Sequence, residues 1–253
     1  MMGQMALDPM HQFKVETLRE FSIGGFDISF TTASLALMLV VVIVFALLFF
    51  AISKPKIVPS RMQSVGELGY EFVANMVRDT IGEEGIKFFP FIFTLFLLVF
   101  GCNMLGMIPY FVTPTALIVV TAALALLVFF TVIVFGFIRN GIGFLKLFVP
   151  SGVPLPLLFL LVPLEIISFF VRPLTLSLRL FGNILAGHIV LKLFVGFTVA
   201  LLGTASFLSV FAIAPFFLAL AFTALEFLVA FLQAYIFTVL TCVYLNDAFH
   251  PSH

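Results

Sequence analysis

The sequence predicts an all-α, polytopic membrane protein with about five membrane helices and one amphipathic surface helix. Hydrophobic residues make up 63% of the 253 positions and charged residues only 9%, whereas typical soluble domains carry about a quarter charged residues. Several uncharged runs reach the roughly 20 residues that an α-helix needs to cross a bilayer. The net charge is zero, which argues against a nucleic-acid partner because such proteins carry a basic patch or stripe. The chain therefore divides into an N-terminal segment, residues 1–30, and a membrane domain, residues 31–253.

Three uncharged apolar runs predict the first membrane spans, at about residues 31–52, 88–109 and 116–138. The segment from Tyr110 to Thr115 between the second and third runs carries no charge and one proline. So short a connection predicts a tight hairpin.

The distribution of basic residues predicts the orientation of these spans. Basic residues gather between positions 54 and 87 and recur at Arg139 and Lys146, whereas the 110–115 turn has none. The positive-inside rule places both basic regions in the cytoplasm and residues 1–30 on the outer face.

An amphipathic helix is predicted at about residues 61–81, within the first cytoplasmic loop. Its apolar face would carry Val65, Leu68, Phe72, Val73, Met76 and Val77. Ser60 and Gln63, in the sequence S-R-M-Q, match the pattern of a capping box. Two placements fit this pattern: a helix lying along the membrane surface, or a soluble amphipathic helix covered by a partner subunit.

The two C-terminal apolar stretches, at about 153–198 and 206–246, are longer than ordinary spans. As one helix, the first would measure about 70 Å, more than twice the ~30 Å hydrocarbon core. It contains four prolines, so it forms either two short spans or one long, tilted and kinked helix. One net crossing leaves the C-terminus in the cytoplasm, and two leave it outside.

Ionisable residues inside these stretches are candidates for function, because a charge at the bilayer centre costs about 2.5–3.5 kcal/mol on insertion scales. Lys192 is excused because its side chain can snorkel to an interface. Arg172, beside Pro173, fits a structural role at the end of a segment as well as a functional one. The remaining candidates are four ionisable residues, Glu165, Arg179, His188 and Glu226, and two amides, Asn183 and Gln233. Taken singly, each also fits a satisfied polar residue in a helix interface.

Arg179 is the centre of this set, because a guanidinium stays charged even where desolvation would neutralise a lysine. Glu165 lies fourteen residues earlier, on the same helical face, and the hydroxyls of Ser168 and Thr175 lie near that stripe. His188 lies nine residues later, on the opposite face. Arg179 is thus a permanent charge that cannot carry a proton.

The last stretch adds Glu226 and Gln233, which are seven residues apart and line one helical face. Titratable groups then lie on both sides of a fixed cation. This arrangement suits a proton path interrupted by a barrier.

Four motifs follow one another along the chain: D-P-M-H-Q-F at 8–13, N-M-L-G-M-I-P-Y at 103–110, P-L-T-L-S-L-R-L-F-G-N-I-L-A-G-H at 173–188, and L-Q-A-Y-I-F-T-V-L-T-C-V-Y-L at 232–245. Together they resemble subunit a of F-type ATP synthases over roughly residues 8–248. The R-L-F-G-N and L-Q-A-Y-I-F cores are the most specific parts of the resemblance.

The resemblance implies a fold and a set of partners. In this family the last two helices form a long hairpin, tilted almost into the membrane plane, that cradles a ring of c subunits. It favours one long helix over 153–198. The implied partners are the c ring, the b subunits, the rest of the F-type complex, protons and membrane lipid. The implied location is the bacterial inner (plasma) membrane, with the mitochondrial inner membrane as the alternative.

The resemblance also implies roles for individual residues. The essential arginine of the family falls on Arg179, which faces the proton-carrying carboxylate of each passing c subunit. The outer half-channel falls on Asn183 and Gln233, with Asn103 as a further candidate. The cytoplasmic half-channel falls on three residues, Glu165, Ser168 and Thr175.

His188 and Glu226 depart from many bacterial members of the family. Where those have a carboxylate this chain has His188, and where they have a histidine it has Glu226, as in mitochondrial members. Such an exchange predicts that the two residues are neighbours in space.

Two other classes of function are weaker. A secondary transporter would show internal repeats, and none is detectable. An intramembrane enzyme would need a motif such as H-E-x-x-H or G-x-S-x-G, and a nucleotide site would need G-x-x-x-x-G-K-[ST]; the sequence contains none of them. A non-catalytic subunit without cofactor or metal is therefore expected. Two small-residue pairs, Gly182 with Ala186 and Ala230 with Ala234, fit either generic helix packing or close approach of the rotor.

Overall fold

The computed structural model describes residues 17–20, 22–23, 26–27, 29–53, 56–108, 113–149, 154–204 and 207–249. The motif at 8–13 and much of the 110–115 turn lie outside these residues. Four short strands open the described part: β1 (Thr17–Arg19), β2 (Ser22–Ile23), β3 (Phe26–Asp27) and β4 (Phe30–Thr31). β1 pairs with β4 and β2 with β3, both antiparallel. These small ladders lead directly into the first helix.

Six α-helices follow: α1 (Thr32–Ile52), α2 (Arg61–Ile81), α3 (Phe89–Gly106), α4 (Ile118–Asn140), α5 (Leu155–Gly203) and α6 (Ile213–Phe249). Among the described residues, five helical segments, all but α2, are long and apolar enough to cross a membrane. The prediction of an all-α, polytopic membrane protein is confirmed.

Short 3₁₀ helices adjoin several of these helices, at Glu83–Phe88, Pro114–Ala116, Gly141–Phe148 and Phe207–Ala212. Glycines with positive φ mark two of the junctions: Gly82 (88°) ends α2 and Gly141 (54°) ends α4. Glycine reaches this backbone region without the steric penalty of a Cβ. The chain can therefore turn sharply after both helices.

Helix α2 begins at the predicted residue, but only half of the predicted capping box forms. The Ser60 hydroxyl accepts a hydrogen bond from the Gln63 backbone N–H at 3.4 Å. The Gln63 side chain bonds the backbone of Lys56 and the carboxylate of Glu67. The half of the capping box in which Gln63 returns to the Ser60 N–H is therefore replaced by these bonds.

The predicted apolar face of α2 is divided between two environments. Val73, Met76 and Val77 are buried, whereas Val65 and Leu68 are more than 60% exposed. Only the C-terminal half of the helix is anchored in the core of the molecule. The N-terminal half leaves its apolar side chains to lipid or a partner.

The longest element is α5, which runs for 49 residues through Pro163 and Pro173. Proline removes a backbone hydrogen bond, but membrane helices tolerate this because their surroundings satisfy the freed groups. Of the two possibilities left open by the sequence, the structure shows one long helix. At 1.5 Å per residue it exceeds the ~30 Å hydrocarbon core more than twofold, so in a bilayer it must be steeply inclined or project beyond it.

Helices α5 and α6 pack antiparallel and form the predicted hairpin. Three side-chain contacts tie them along their length: Arg172 to Asp247, Asn183 to Gln233, and His188 to Glu226. The main core lies against one side of this hairpin, between α2, α3 and α4, with Ile92, Val128, Leu180 and Phe237 essentially fully buried. The other side of α5 remains exposed over most of its length.

Candidate functional site

The first polar group of the hairpin is the predicted pair of neighbours. His188 Nδ1 lies 3.7 Å from Glu226 Oε1, and both residues are more than 90% buried. The other ring nitrogen of His188, Nε2, lies 3.3 Å from the Thr113 hydroxyl. The antiparallel packing of α5 and α6 thus brings together two titratable residues that are 38 positions apart.

A glycine makes room for this pair. A Cβ added at Gly187 would lie 2.9 Å from Glu226 Oε1. That oxygen is buried and has no hydrogen-bond partner among the described side chains and backbone. Glu226 is therefore held in place mainly by packing and by the imidazole.

Asn103 of α3 approaches the same region of α6 but is used differently. Its Nδ2 donates to the Ala230 carbonyl at 3.3 Å, and its Oδ1 accepts from the Thr115 hydroxyl at 2.8 Å. Both ends of the amide thus bind protein groups. These contacts tie α3 and the 114–116 turn to α6.

Asn183 and Gln233 form the next polar contact along the hairpin. Asn183 Nδ2 donates to Gln233 Oε1 at 2.7 Å. Gln233 is buried, and its Nε2 has no hydrogen-bond partner within the described part of the chain. A buried amide with an unused donor is suited to a further polar partner such as water.

Arg179 lies between the two ends of the hairpin, on the exposed side of α5. No hydrogen bond or ion pair joins its guanidinium to any residue that the structure describes. Its helical neighbours Leu176 and Leu180 are buried in the core. The cation therefore projects away from the core on a helix fixed by its opposite face.

The third polar group lies at the far end of the hairpin and centres on Arg172. Its guanidinium lies 2.7 Å from Asp247 Oδ2 and 3.9 Å from Glu165 Oε1. It also lies over the rings of Phe169 and Tyr244, at 5.7 and 5.1 Å from their centroids. Glu165 therefore pairs with Arg172, although the sequence considered it in relation to Arg179. The sequence allowed a structural or a functional role for Arg172, and these contacts show the structural one.

The two predicted hydroxyl residues lie on the exposed side of α5. The Thr175 hydroxyl donates to the Arg172 carbonyl at 2.9 Å. Ser168 lies seven residues before Thr175, on the same helical face. Both residues share the exposed side of the helix with Arg179.

Sequence reasoning missed Asp247, Thr113 and Thr115. Asp247 carried a detectable signal, because Glu226 and Asp247 are the two acidic residues in the 37-residue α6. The two threonines carried none, since their hydroxyls gain significance only from the side chains that they contact.

The end of α6 lies beside the end of α4. The Asn140 side chain donates to the Ala248 carbonyl at 2.6 Å, and Arg139 lies 4.4 Å from the Phe249 ring centroid. Arg139 also pairs with Glu84, just before α3. These contacts place residue 249 on the same side of the molecule as residues 84 and 139, which agrees with one net crossing by α5.

Among the residues that the structure describes, no cluster of three or more His, Cys, Asp or Glu side chains could hold a metal ion. The two cysteines, Cys102 and Cys242, are buried and unpaired with each other. They pack as small apolar side chains.

Comparison with known proteins gives further evidence about the family of this chain. The family model described as ATP synthase A chain matches residues 34–246. The chain is 55% identical over 247 residues to "ATP synthase subunit a" of Mesorhizobium japonicum, with 98% of each chain covered. It is 56% identical over 249 residues to the protein of the same name from Hyphomonas neptunium, again with 98% of each covered. Over 252 residues it is 53% identical to that of Bartonella henselae, with both chains fully covered.

Proposed function

Because this chain belongs to the ATP synthase A chain family, the proton-translocating subunits of the F0 sector, we propose that Arg179 divides its proton path into two half-channels. One observation carries the proposal. Arg179 is exposed on α5, while polar groups lie on both sides of it along the same hairpin. A permanent cation at that point repels a proton attempting to pass directly from one group to the other.

The outer half-channel would be built from two neighbouring contacts of the hairpin, His188 with Glu226 and Asn183 with Gln233. The buried pair of His188 and Glu226 supplies two sites that can bind a proton, held within 3.7 Å of each other. The amides of Asn183 and Gln233 lie between this pair and Arg179 along the hairpin. They can hold water through the unused donor of Gln233 and so pass a proton toward the rotor.

Asn103 has a supporting role in this proposal. Both ends of its amide are engaged by Ala230 and Thr115. It thereby fixes the stretch of α6 between Glu226 and Gln233. A direct role in carrying protons is not needed.

The cytoplasmic half-channel would begin at Glu165 and follow the hydroxyls of Ser168 and Thr175 toward Arg179. All three lie on α5, on the opposite side of Arg179 from His188. Their half-exposed or exposed positions allow water to reach them. A proton released near Arg179 would leave the membrane along this line.

The rotor would complete the site from outside the chain. A neutral carboxyl group on a c subunit can face lipid at tolerable cost, whereas an ionised one is drawn to Arg179. Alternation between these two states at the two half-channels couples proton flow to rotation. Each charge that crosses the membrane releases about 2.3 kcal/mol per 100 mV.

The membrane location, the non-catalytic role and the partners complete the proposal. The chain is a multi-pass membrane protein of the F-type complex. We place it in the bacterial inner membrane as a non-catalytic stator subunit, bound to the c ring and the b subunits. The bacterial relatives support this location.

Arg179→Ala tests the proposal. The change removes the charge but leaves the buried contacts of α5 with the core in place. We expect the complex to assemble and ATP-driven proton pumping in vesicles to vanish, with passive proton leak raised. Arg139→Ala is the matched control, since it removes an arginine that pairs with Glu84 away from the proposed path. Normal pumping by the Arg179→Ala complex would show that the half-channel assignment is wrong.

A further inference from the structure

Arg172 connects the two helices of the hairpin through several contacts. It contacts two carboxylates and two aromatic rings, which belong to both α5 and α6. Its side chain and that of Asp247 are each only about one-fifth exposed, at 21% and 19%. Ion pairs withdrawn from water in this way hold a defined geometry, because separation of the partners would leave a poorly solvated charge.

Arg172 and Arg179 make an informative comparison. They are seven residues apart on one helix, so their side chains leave α5 in nearly the same direction. Arg172 nevertheless contacts two carboxylates and two rings, whereas Arg179 has no hydrogen bond or ion pair with a described residue. The first arginine is used inside the molecule and the second faces outward.

Pro173 gives the position of Arg172 its importance. Proline cannot donate a backbone hydrogen bond and its ring crowds the preceding turn, so a helix is prone to bend there. The position of Arg179 therefore depends on contacts on both sides of Pro173. Beyond it, Leu176 and Leu180 are buried in the core, and before it a contact of α5 with α6 is needed to fix where the bend begins. The ion pair of Arg172 with Asp247 joins α5 to α6 immediately before that point.

We propose that Arg172 is a positioning residue: through Asp247 it fixes the register of α5 against α6 and so sets where Arg179 stands opposite the rotor. The same guanidinium holds the Glu165 carboxylate within 3.9 Å, at the start of the proposed cytoplasmic half-channel. Arg172 thus acts through other residues and does not exchange protons. This inference rests on the proposed role of Arg179.

The test compares variants that remove either side of the bridge, Arg172→Gln and Asp247→Asn. Arg172→Lys is the conservative variant, and Arg139→Gln is the control for loss of an arginine from another ion pair. ATP-driven pumping and passive proton conduction are measured in vesicles and divided by the amount of assembled complex. This normalisation separates a defect in positioning from a defect in folding.

We expect both Arg172→Gln and Asp247→Asn to lower pumping per complex by at least about tenfold, since displacement of a reacting group by ~1 Å can cost a hundredfold. Arg172→Lys should retain most of the activity, and Arg139→Gln should match the parent chain. The effect of Asp247→Asn is decisive, because it removes the charge of the partner, and with it the ion pair, while the charge of Arg172 remains.

Normal pumping by Asp247→Asn would overturn the proposal, as would losses that merely follow the amount of assembled complex. Arg179→Ala is measured in parallel to separate this inference from its premise. If Arg179→Ala abolishes pumping while the Arg172 and Asp247 variants pump normally, only the positioning role fails. If Arg179→Ala also pumps normally, the half-channel mechanism itself fails.

Discussion

At the residue scale, the contact between His188 and Glu226 is the site that we propose for proton uptake. The two side chains are buried together, and the Thr113 hydroxyl contacts the far nitrogen of the imidazole. Two titratable groups so close do not bind protons independently. We therefore treat them as one unit whose members can be exchanged.

Exchange of the two residues tests this unit. Glu226→Gln and His188→Glu should each slow ATP-driven proton pumping by about tenfold or more, because proton transfer by a positioned side chain contributes at least a hundredfold. The second variant places two carboxylates in one buried site. The double variant, His188→Glu with Glu226→His, should recover part of the loss.

Thr223→Val is a suitable control for the exchange. Thr223 lies one turn before Glu226 on α6, and the Ala219 carbonyl is the one hydrogen-bond partner of its hydroxyl among the described residues. Its pumping should stay near that of the parent chain. A double variant no better than the worse single one would mean that His188 and Glu226 act separately.

At the scale of the element, small residues decide how closely two helices can approach. The structure distinguishes the two small-residue pairs, for which the sequence left packing within the chain and approach of the rotor both open. Ala230 and Ala234 are fully buried, so they serve packing within the chain. Gly182 has open space where a Cβ would stand, and Ala186 is exposed. Of the two pairs, Gly182 and Ala186 therefore leave room for a rotor helix in the proposed mechanism.

Gly187 belongs to the same helix and tests the geometry of the buried pair. In Gly187→Ala the new Cβ would meet Glu226 Oε1 at 2.9 Å. Because that oxygen ends a flexible side chain, the helix should still fold, and Ala favours a helix over Gly by up to about 1 kcal/mol. The carboxylate must then move, so pumping per assembled complex should fall about threefold or more.

Gly196→Ala is the matched control for this change. It lies on the same helix, gains the same helix propensity, and has nothing within 4 Å of the added Cβ. Its pumping should be unchanged. Equal behaviour of the two variants would contradict the steric argument.

The helices and the contacts between them also show which features could be predicted from the sequence. The spans and the pairing of His188 with Glu226 followed from hydropathy, from the family resemblance, and from the expense of lone charges in a membrane. The bridge of Arg172 to Asp247 did not, because it depends on the register between two long helices. The divided face of α2 was also unpredictable, since periodicity identifies an apolar face but not what covers each half of it.

At the scale of the whole molecule, the contacts between the ends of α4 and α6 bear on topology. Residues 84, 139 and 249 meet at one side, whereas Thr113 and Thr115 meet His188 and Asn103 away from it. Because the positive-inside rule predicts that the basic residues lie in the cytoplasm, we expect the end of α6 to be cytoplasmic too. His250 and His253, which follow it, lie outside the described residues.

Cysteine labelling tests this topology. Ile142→Cys, at a position 83% exposed, and Ser252→Cys should both resist a membrane-impermeant thiol reagent applied from outside. Leu18→Cys, half exposed in the N-terminal segment, should react and so serves as the positive control. The native cysteines are buried and should stay silent. Labelling at 252 with protection at 142 would exclude the single crossing by α5.

The exposed position of Arg179 also has a consequence for biogenesis. A lone cation on the outward face of a membrane helix costs about 2.5–3.5 kcal/mol on insertion scales, which is a large fraction of the stability of a typical domain. In the proposed mechanism, each carboxylate that the rotor brings to Arg179 offsets that cost. The charge of Arg179, which we propose separates the half-channels, therefore also makes insertion of the isolated subunit into the membrane energetically unfavourable. It favours early assembly of the chain with the proposed c ring.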